Sequence, residues 1–391
     1  MTLAVRPPRL STIALSVLLV GLVLVPGRAA QAKDPSVRAR GKAESRSSRE
    51  SRLRAIKRGC DFLCGAEGSN PLQPGYRGEQ RKDGGWGDNR ATVALTSLSI
   101  LALMADGSTD GRGRHGKAVQ RGIDFLLKLI EERGKGSHQP EGYFWHPNDS
   151  SSRMHGQGFA TLAIASALGT SEGDRARRLR SALSKAVVCI ENAQTSTGGY
   201  GYEPVASSEH EGSVTVAIAQ GLRAARDAGI LIDRDKIRRG LGYLKRSQKK
   251  DGSFQYSLHQ DTSSYALTAA ALSSFFLYGE YADGPRRNIT RGIQYMREKL
   301  TRRVDLPWYY YGHFYAAWAC WQWDGHTWDP KGDNLWGWWQ ARVYPHLMGR
   351  QRSDGSFEPG ESRYDYGPVL STAFAVLTLA VPDEILPIFQ R

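Results

Sequence analysis

Polar side chains stand at the start of several apolar segments in which helices are expected. Five of them precede or open such a segment: His155, Glu211, Asp261, His313 and Asp365. If these segments are parallel helices of one ring, their first residues meet at one end, and we expect the five side chains to form a catalytic group there. A carboxyl in an apolar pocket keeps its proton to a higher pH and can act as an acid. For the three carboxylates, capping of a helix N-terminus is the simpler role.

Aromatic residues are concentrated in one region. Eight of the ten tryptophans fall between positions 308 and 339, next to three consecutive tyrosines. Aromatic faces stabilise cations and offer apolar surface, and sugar stacking is an alternative use of the same surface. We expect ligand contacts from five residues: Tyr309, Tyr310, Tyr311, Trp318 and Trp86. The later tryptophans are expected to pack between helices.

The cysteines do not form a recognisable site. Cys60 and Cys64 lie one helical turn apart, whereas Cys189 and Cys320 stand alone. None has a histidine or cysteine at the spacing of a zinc finger, and four cysteines are too few for a disulfide scaffold in a chain of this length. The sequence therefore predicts no metal and no cofactor, and it leaves the pairing of the thiols open.

The chain repeats one short phrase, a glutamine followed by glycine and then an aromatic residue. Five copies occupy residues 80–86, 139–143, 194–200, 248–254 and 351–357, and a degenerate copy surrounds Trp308. A period of roughly 50 to 65 residues is typical of stacked supersecondary units. Glycine supplies positive φ and the aromatic ring packs over helix ends, so we interpret the phrase as a structural turn.

Two kinds of helical pattern flank these turns. One is amphipathic: in residues 121–130, apolar side chains recur at i, i+3, i+4 and i+7. The other is apolar on all sides, as in 91–104, 213–225 and 265–278, and must be covered by neighbours. The last apolar segment, 369–381, has no polar cap, which favours a closed ring over an open solenoid. The sequence predicts an all-α fold, an (α/α)6 toroid built from about six helix hairpins.

These turns and helices resemble a known family. Turns of the form Gln-x-x-x-Gly-x-Trp/Phe are similar to the repeat motif of squalene and terpenoid cyclases and, more loosely, of protein prenyltransferase β subunits. The resemblance extends from about Ser51 to the end of the chain. It implies two rings of helices around a central cavity, and either cation-driven cyclisation of isoprenoids or transfer of a prenyl group.

The acidic motifs of that family are missing. The chain contains no Asp-Asp pair, and therefore neither the DxDD acid motif nor the DDxxD motif for diphosphate ionisation. The nearest partial match to the acid motif, residues 259–266, keeps Asp261. No Asp-x-Cys occurs, so the zinc site of prenyltransferases is not supported.

The N-terminal residues have the features of an export signal. Arg6 and Arg9 precede an uncharged run at 11–25, and small residues follow at 30–32, so we expect a signal peptide over 1–32. An uncleaved membrane anchor is the alternative. Residues 33–52 are rich in serine and arginine and are expected to form a basic disordered linker, with the toroid at 53–391. The linker offers a peripheral contact with anionic lipid or cell wall, although a solvating tether is the simpler interpretation.

The charge distribution argues against a nucleic-acid partner. The net charge is +14, of which the first 32 residues supply +3 and residues 33–58 supply +7. The folded part therefore lacks the basic stripe that duplex binding requires. We rank first an exported toroid that binds an apolar, isoprenoid-type or extended ligand in its central cavity. The alternatives are a terpene cyclase that uses a lone carboxylic acid, a non-enzymatic scaffold for proteins of the cell envelope, and a carbohydrate-active toroid.

Overall fold

The computed structural model of the protein describes residues 44–87, 90–131, 138–278, 283–324, 334–360 and 366–390. Its helices are α1 Arg46–Cys64, α2 Thr92–Ala105, α3 Gly116–Glu131, α4 Arg153–Leu168, α5 Gly173–Ala193, α6 Gly212–Asp227, α7 Arg234–Arg246, α8 Tyr265–Leu277, α9 Asp283–Arg302, α10 Tyr309–Asp324, α11 Leu335–Gly349 and α12 Pro368–Ala380. The short antiparallel strands β1 Gln255–Ser257 and β2 Gln260–Ser263 precede α8. Two 3-10 turns, Val381–Asp383 and Pro387–Phe389, follow α12.

The even-numbered helices form a closed inner ring. They pack in the order α2, α4, α6, α8, α10 and α12, and α12 packs against α2. Every residue of α2 and α8 is buried, as their apolar sequences require. We call the end of this ring where the six helices begin the mouth. The closed ring confirms the predicted all-α (α/α)6 toroid, and the short β1–β2 hairpin is a local departure from it.

The odd-numbered helices form the outer ring. α3 packs against α2, α5 against α4, and α1 against α12, so the first helix of the chain contacts the last inner helix. On α3 the buried side chains include Val119, Ile123, Leu126 and Ile130, one stripe of an amphipathic helix. The opposite face remains in solvent, which explains the amphipathic pattern of these segments.

The glutamine of the repeated phrase ties each turn to the next outer helix. Gln248 Nε2 donates hydrogen bonds to the carbonyls of Gly252 (3.1 Å) and Asn288 (2.8 Å). The same double donation is made by Gln80, Gln194 and Gln351. Gly252 has φ +92°, and a Cβ at this position would lie 2.3 Å from the carbonyl oxygen of Arg291. Glycine is therefore required both by the backbone conformation and by the close approach of the helix.

The second hairpin uses a different glutamine. Gln157 of α4 donates to the carbonyls of Gly142 (2.9 Å) and Ala186 (3.4 Å), and its side-chain oxygen accepts from the amide of Phe144. The donor therefore comes from the helix that follows the turn, not from the phrase that contains Gln139. Local sequence does not reveal this replacement, because the two positions meet only after the hairpin folds.

The first helix begins earlier than the expected domain boundary. Residues 46–52, which the sequence places in the linker, form the first turns of α1, and Ser45 caps this helix by accepting from the amide of Ser48 (3.1 Å). Helix α1 starts earlier because Arg52 is buried and pairs with Glu44, which lies just before the helix. Residues 1–43, with the predicted signal peptide and most of the linker, lie outside the described residues. Among the described residues, no helix is both long and apolar enough to cross a membrane.

Candidate functional site

Side chains of the chain itself fill the middle of the inner ring. Phe159 of α4 meets Phe374 of α12, with ring centroids 6.3 Å apart, although α2 separates these two helices in the ring. The hydroxyl of Tyr315 on α10 donates to Gln220 Oε1 on α6 at 2.9 Å, although α8 lies between them. Helices that are not neighbours in a ring can touch only across its centre. All four residues are buried, so the axis is packed at this level.

The C-terminal segment closes the other end of the axis. The ring of Phe389 lies 6.2 Å from that of Phe314 and 6.4 Å from that of Trp318, both on α10. Gln322 Nε2 donates to the carbonyl of Gln390 at 3.2 Å and holds the segment in place. A cavity of about 10 Å³ lies between α6, α7 and Tyr278, the residue after α8. In the part of the chain that the structure describes, side chains thus occupy the central space that the family resemblance implies.

At the mouth, a hydrogen-bonded chain of three polar side chains joins α4 to α6. His155 Nε2 lies 2.8 Å from Ser213 Oγ, which is 2.7 Å from each carboxylate oxygen of Glu211 and donates its one hydrogen to that carboxylate. Glu211 also accepts from the backbone amides of Ser213 (2.9 Å) and Val214 (2.8 Å), as the N-cap of α6. Two of the predicted site residues, His155 and Glu211, are therefore brought together, and the capping role predicted for Glu211 is observed as well.

Burial shifts the proton equilibria of this cluster. Desolvation raises the pKa of Glu211, although its hydrogen bonds to Ser213 and Val214 oppose the shift. Desolvation also lowers the pKa of His155 to about 4. The imidazole is therefore neutral at pH 7. The side chain of His155 is 20% exposed and that of Glu211 only 2%, so the histidine is the member of the pair that solvent reaches.

Aromatic side chains surround this cluster. The ring of Tyr202 lies 5.7 Å from that of His155, and the hydroxyls of Tyr202 and Tyr256 are hydrogen-bonded to each other. The hydroxyl of Tyr311 interacts electrostatically with Glu211 and Tyr202, and burial raises its pKa. Ser213, Tyr202 and Tyr256 were not among the sequence candidates. Ser213 could have been found, since a serine two residues after a capping glutamate lies within reach of its carboxylate.

Two residues at the start of inner helices adopt unusual backbone conformations. Arg153, at the beginning of α4, has φ +43°, and Trp308, just before α10, has φ +59°. Bulky residues rarely adopt positive φ, and such strain concentrates at functional sites. Trp308 is also 46% exposed, which is unusual for a tryptophan. Both residues lie at the mouth, and Arg153 is two residues before His155.

Of the other three catalytic candidates, Asp261 and His313 do not join this cluster. Asp261 lies on β2 with its side chain 83% exposed and forms a 3.0 Å ion pair with Lys249, whose hydrogen bond lowers the pKa of the carboxyl. An exposed, ionised carboxylate cannot serve as the protected acid of an apolar pocket. Nor does it cap α8, because Ser264 accepts from the amide of Leu267 (3.1 Å) instead. Asp365 lies outside the described residues.

His313 is a packing residue inside α10. The helix begins at Tyr309, one turn earlier than the sequence pattern suggests, so His313 is not at a helix start. It is buried, and its Nε2 donates to the carbonyl of Val304 at 3.0 Å while its ring packs 4.6 Å from that of Tyr309. Burial lowers its pKa to about 4. This histidine is separated from His155 and forms no site with it.

The five aromatic candidates divide between the axis and the space between the rings. Tyr311 and Trp318 face the axis. The hydroxyl of Tyr309 lies 2.9 Å from His346 Nδ1 on α11, and that of Tyr310 donates to the carbonyl of Glu358. Trp86 is fully buried and its Nε1 donates to the carbonyl of Leu63 at 2.7 Å. These last three residues hold outer elements against inner helices and offer no surface to a ligand.

The four cysteines form no disulfide in this fold. All four are buried free thiols, and burial raises the pKa of each one. No group of three or more His, Cys, Asp or Glu side chains in the described ranges could hold a metal ion.

Comparisons with known proteins identify the class of fold. No family model and no curated protein sequence matches the chain. The type II terpene cyclase MstE from Scytonema, in complex with its product merosterolic acid A, has a similar structure with a TM-score of 0.53 at 17% identity, over 87% of this chain and 98% of that one. The chain thus has an α/α toroid fold, as this cyclase does.

Sugar-active toroids are similar as well. The cellobiose 2-epimerase of Bacillus thermoamylovorans has a TM-score of 0.60 at 10% identity, over 85% of this chain and 98% of that one. An α-1,6-mannanase of Salegentibacter sp., in complex with an α-1,6-linked mannotetraose, has a TM-score of 0.58 at 8% identity, over 85% and 99%. At these identities the likeness concerns the fold, and function must be argued from the site.

Proposed function

We propose that this protein is a ligand-binding α/α toroid whose ligand lies across the mouth of the inner ring and not inside it. The observation that carries this proposal is the contrast between the two places. The axis is filled by Phe159, Phe374 and Tyr315, whereas the mouth presents His155 as a partly exposed polar group beside Tyr202. Sites for small molecules typically combine aromatic surface with a few convergent polar groups.

The same contrast argues against the two enzymatic alternatives. A cyclase acid would have to face an apolar cavity, but Glu211 is saturated by hydrogen bonds from Ser213 and Val214. Glycoside hydrolysis needs two carboxylates about 5 to 9.5 Å apart. Among the described residues of the polar cluster, Glu211 is the one carboxylate. We therefore propose binding without turnover.

We also propose that the protein is exported and acts outside the cytoplasm. The support is the arrangement of Arg6, Arg9 and the uncharged run at 11–25, which is typical of a cleavable signal. Fractionation of cells that express the full chain, with the N-terminus of the product determined by mass spectrometry, tests this point. A protein that retains Met1 in the cytoplasmic fraction contradicts it.

Binding is tested with three probes of different chemistry: cellobiose, α-1,6-mannotetraose and geranylgeraniol. Isothermal titration would measure affinity, and hydrogen exchange would locate the site. We expect a bound probe to protect amides near His155 and Ser213. Protection confined to the C-terminal segment 385–390, or no binding by any of the three probes, would overturn the proposal, and the second outcome would favour an envelope-protein scaffold.

A matched pair of surface variants separates the mouth from the rest of the surface. Trp308→Ala removes a half-exposed aromatic ring at the mouth, whereas Leu231→Ala removes a 93% exposed apolar side chain between α6 and α7, at the opposite end of the ring. We expect the first change to weaken binding and the second to leave it unchanged. Equal effects of the two variants would argue against a site at the mouth.

A further inference from the structure

The hydrogen-bonded chain at the mouth fixes which nitrogen of His155 carries the proton. The hydroxyl of Ser213 has one hydrogen, and this hydrogen is donated to the carboxylate of Glu211. Ser213 Oγ can therefore only accept from His155 Nε2, which lies 2.8 Å away. In a neutral imidazole one nitrogen is a donor and the other an acceptor. His155 Nε2 thus carries the hydrogen, and Nδ1 is left with a free lone pair.

Nδ1 is the group of this cluster that remains available to a ligand. No hydrogen bond from a described residue reaches it, and the side chain of His155 is 20% exposed to solvent. Glu211, by contrast, accepts from Ser213 and Val214 and is almost completely buried. Glu211 and Ser213 therefore act through the histidine, as positioning residues, and do not themselves reach the ligand.

The surroundings of His155 are aromatic on one side. The groups that face it are Glu211 at the start of α6, Tyr202 in the segment before α6, and Ser213, while Tyr311 of α10 interacts with both Ser213 and Glu211. The ring of Tyr202 lies 5.7 Å from the imidazole, tilted by 53°. A ligand that reaches Nδ1 must therefore also lie near the Tyr202 ring.

From this arrangement we infer that the ligand is a neutral, polyhydroxylated molecule, a sugar or glycan, one hydroxyl of which donates to His155 Nδ1 while its C–H face lies near Tyr202. The inference rests on the proposed function and specifies its ligand class. A hydrocarbon would leave the lone pair of Nδ1 without water and without a partner, which is unfavourable for a polar atom. A carboxylate or phosphate ester without a proton has no hydrogen to donate to it.

Two substitutions at one position test the role of Nδ1. In His155→Gln the amide nitrogen can replace Nε2 as donor to Ser213, but the acceptor at the position of Nδ1 is lost. In His155→Asn the side-chain oxygen can replace Nδ1, but the contact with Ser213 is lost. We expect His155→Gln to weaken binding of cellobiose or α-1,6-mannotetraose about tenfold, the loss of one hydrogen bond, and His155→Asn to retain more affinity. Far-ultraviolet circular dichroism confirms that both variants fold.

The tautomer itself is observable. Nitrogen-15 chemical shifts of the His155 ring should show a protonated Nε2 and an unprotonated Nδ1 in the free protein, and Ser213→Ala should produce a mixture of tautomers. A protonated Nδ1 in the wild-type protein, or an unchanged affinity in His155→Gln, would overturn the inference. Binding of geranylgeraniol at the mouth with no binding of either sugar would also overturn it, yet it would leave the proposed mouth site intact. Absence of binding by all three probes instead refutes the proposed function.

Discussion

Arg52 on the first outer helix and Asp383 in the turn after the last inner helix form a salt bridge of 2.6 Å. Arg52 is almost fully buried, and it also donates to the carbonyl of Leu379 (2.9 Å) and pairs with Glu44 (3.0 Å). The two ends of the toroid are thus joined by one guanidinium, across 331 residues of sequence. Together with the packing of α1 on α12, this contact closes the ring.

Removing this guanidinium should weaken the contact that joins the two ends of the toroid. We expect Arg52→Ala to lower the free energy of unfolding by about 3 to 5 kcal/mol, because Glu44 and Asp383 lose their buried counter-charge. Urea unfolding followed by circular dichroism measures the change. Arg46→Ala is the matched control, since Arg46 forms an exposed pair with Glu50 and should cost less than about 0.5 kcal/mol. Similar losses in the two variants would contradict a closing role for Arg52.

Replacing a turn glycine with alanine should lower the stability by an amount that depends on the atoms beside that glycine. Gly252 and Gly107 both have φ +92°, but a Cβ on Gly252 would lie 2.3 Å from the Arg291 carbonyl oxygen, whereas a Cβ on Gly107 would meet nothing within 4 Å. Gly107→Ala should therefore cost only the backbone term, about 1 to 2 kcal/mol. Gly252→Ala should cost clearly more, since helix α9 must move away. Equal midpoints of thermal unfolding in the two variants would show that the close approach is unimportant.

The C-terminal segment should contribute to stability through the axis. Phe389 is 1% exposed and packs between Phe314 and Trp318, so Phe389→Ala should cost about 3 to 5 kcal/mol by leaving a cavity. Ile385→Ala, four residues earlier and 46% exposed, is the control and should have little effect. Chemical denaturation of both variants tests the difference. A loss below about 1 kcal/mol at Phe389 would show that the segment does not fill the axis.

Stability should fall as the pH is lowered from 6.5 to 4.5. Burial lowers the pKa of His313 to about 4, so between these values the unfolded chain binds a proton that the folded protein does not. The contribution of His313 is on the order of 2 to 3 kcal/mol at pH 4.5, and His155, whose pKa is also about 4, acts in the same direction.

His313→Gln isolates this effect, because glutamine does not titrate. Its free energy of unfolding, measured in urea at pH 6.5, 5.5 and 4.5, should vary less than that of the wild-type protein. Burial raises the pKa of Glu211, so this group makes the folded protein more stable as the pH falls, opposite to His313. Glu211 is present in both proteins, and its effect cancels in the comparison. The same slope in both proteins would contradict a buried neutral His313.

The sequence by itself determined the helices, the two rings and the turns. The apolar periodicity of residues 121–130 and the all-apolar segment at 91–104 are local patterns, and burial of one stripe or of all sides follows from them directly. The fold could be predicted for the same reason: a set of amphipathic helices around apolar ones has few packed solutions.

The site depended on the tertiary structure. His155 and Glu211 stand among many residues near helix starts, and their pairing through Ser213 required α4 and α6 to lie side by side. Asp261 and His313 show the same dependence in the other direction, since a short hairpin exposes the first and an earlier helix start buries the second. The tertiary structure also decided that Phe159, Phe374 and Phe389 fill the axis of the ring. Whether a ring encloses a cavity depends on how side chains from opposite helices meet at its centre, and periodicity along one helix carries no information about that distance.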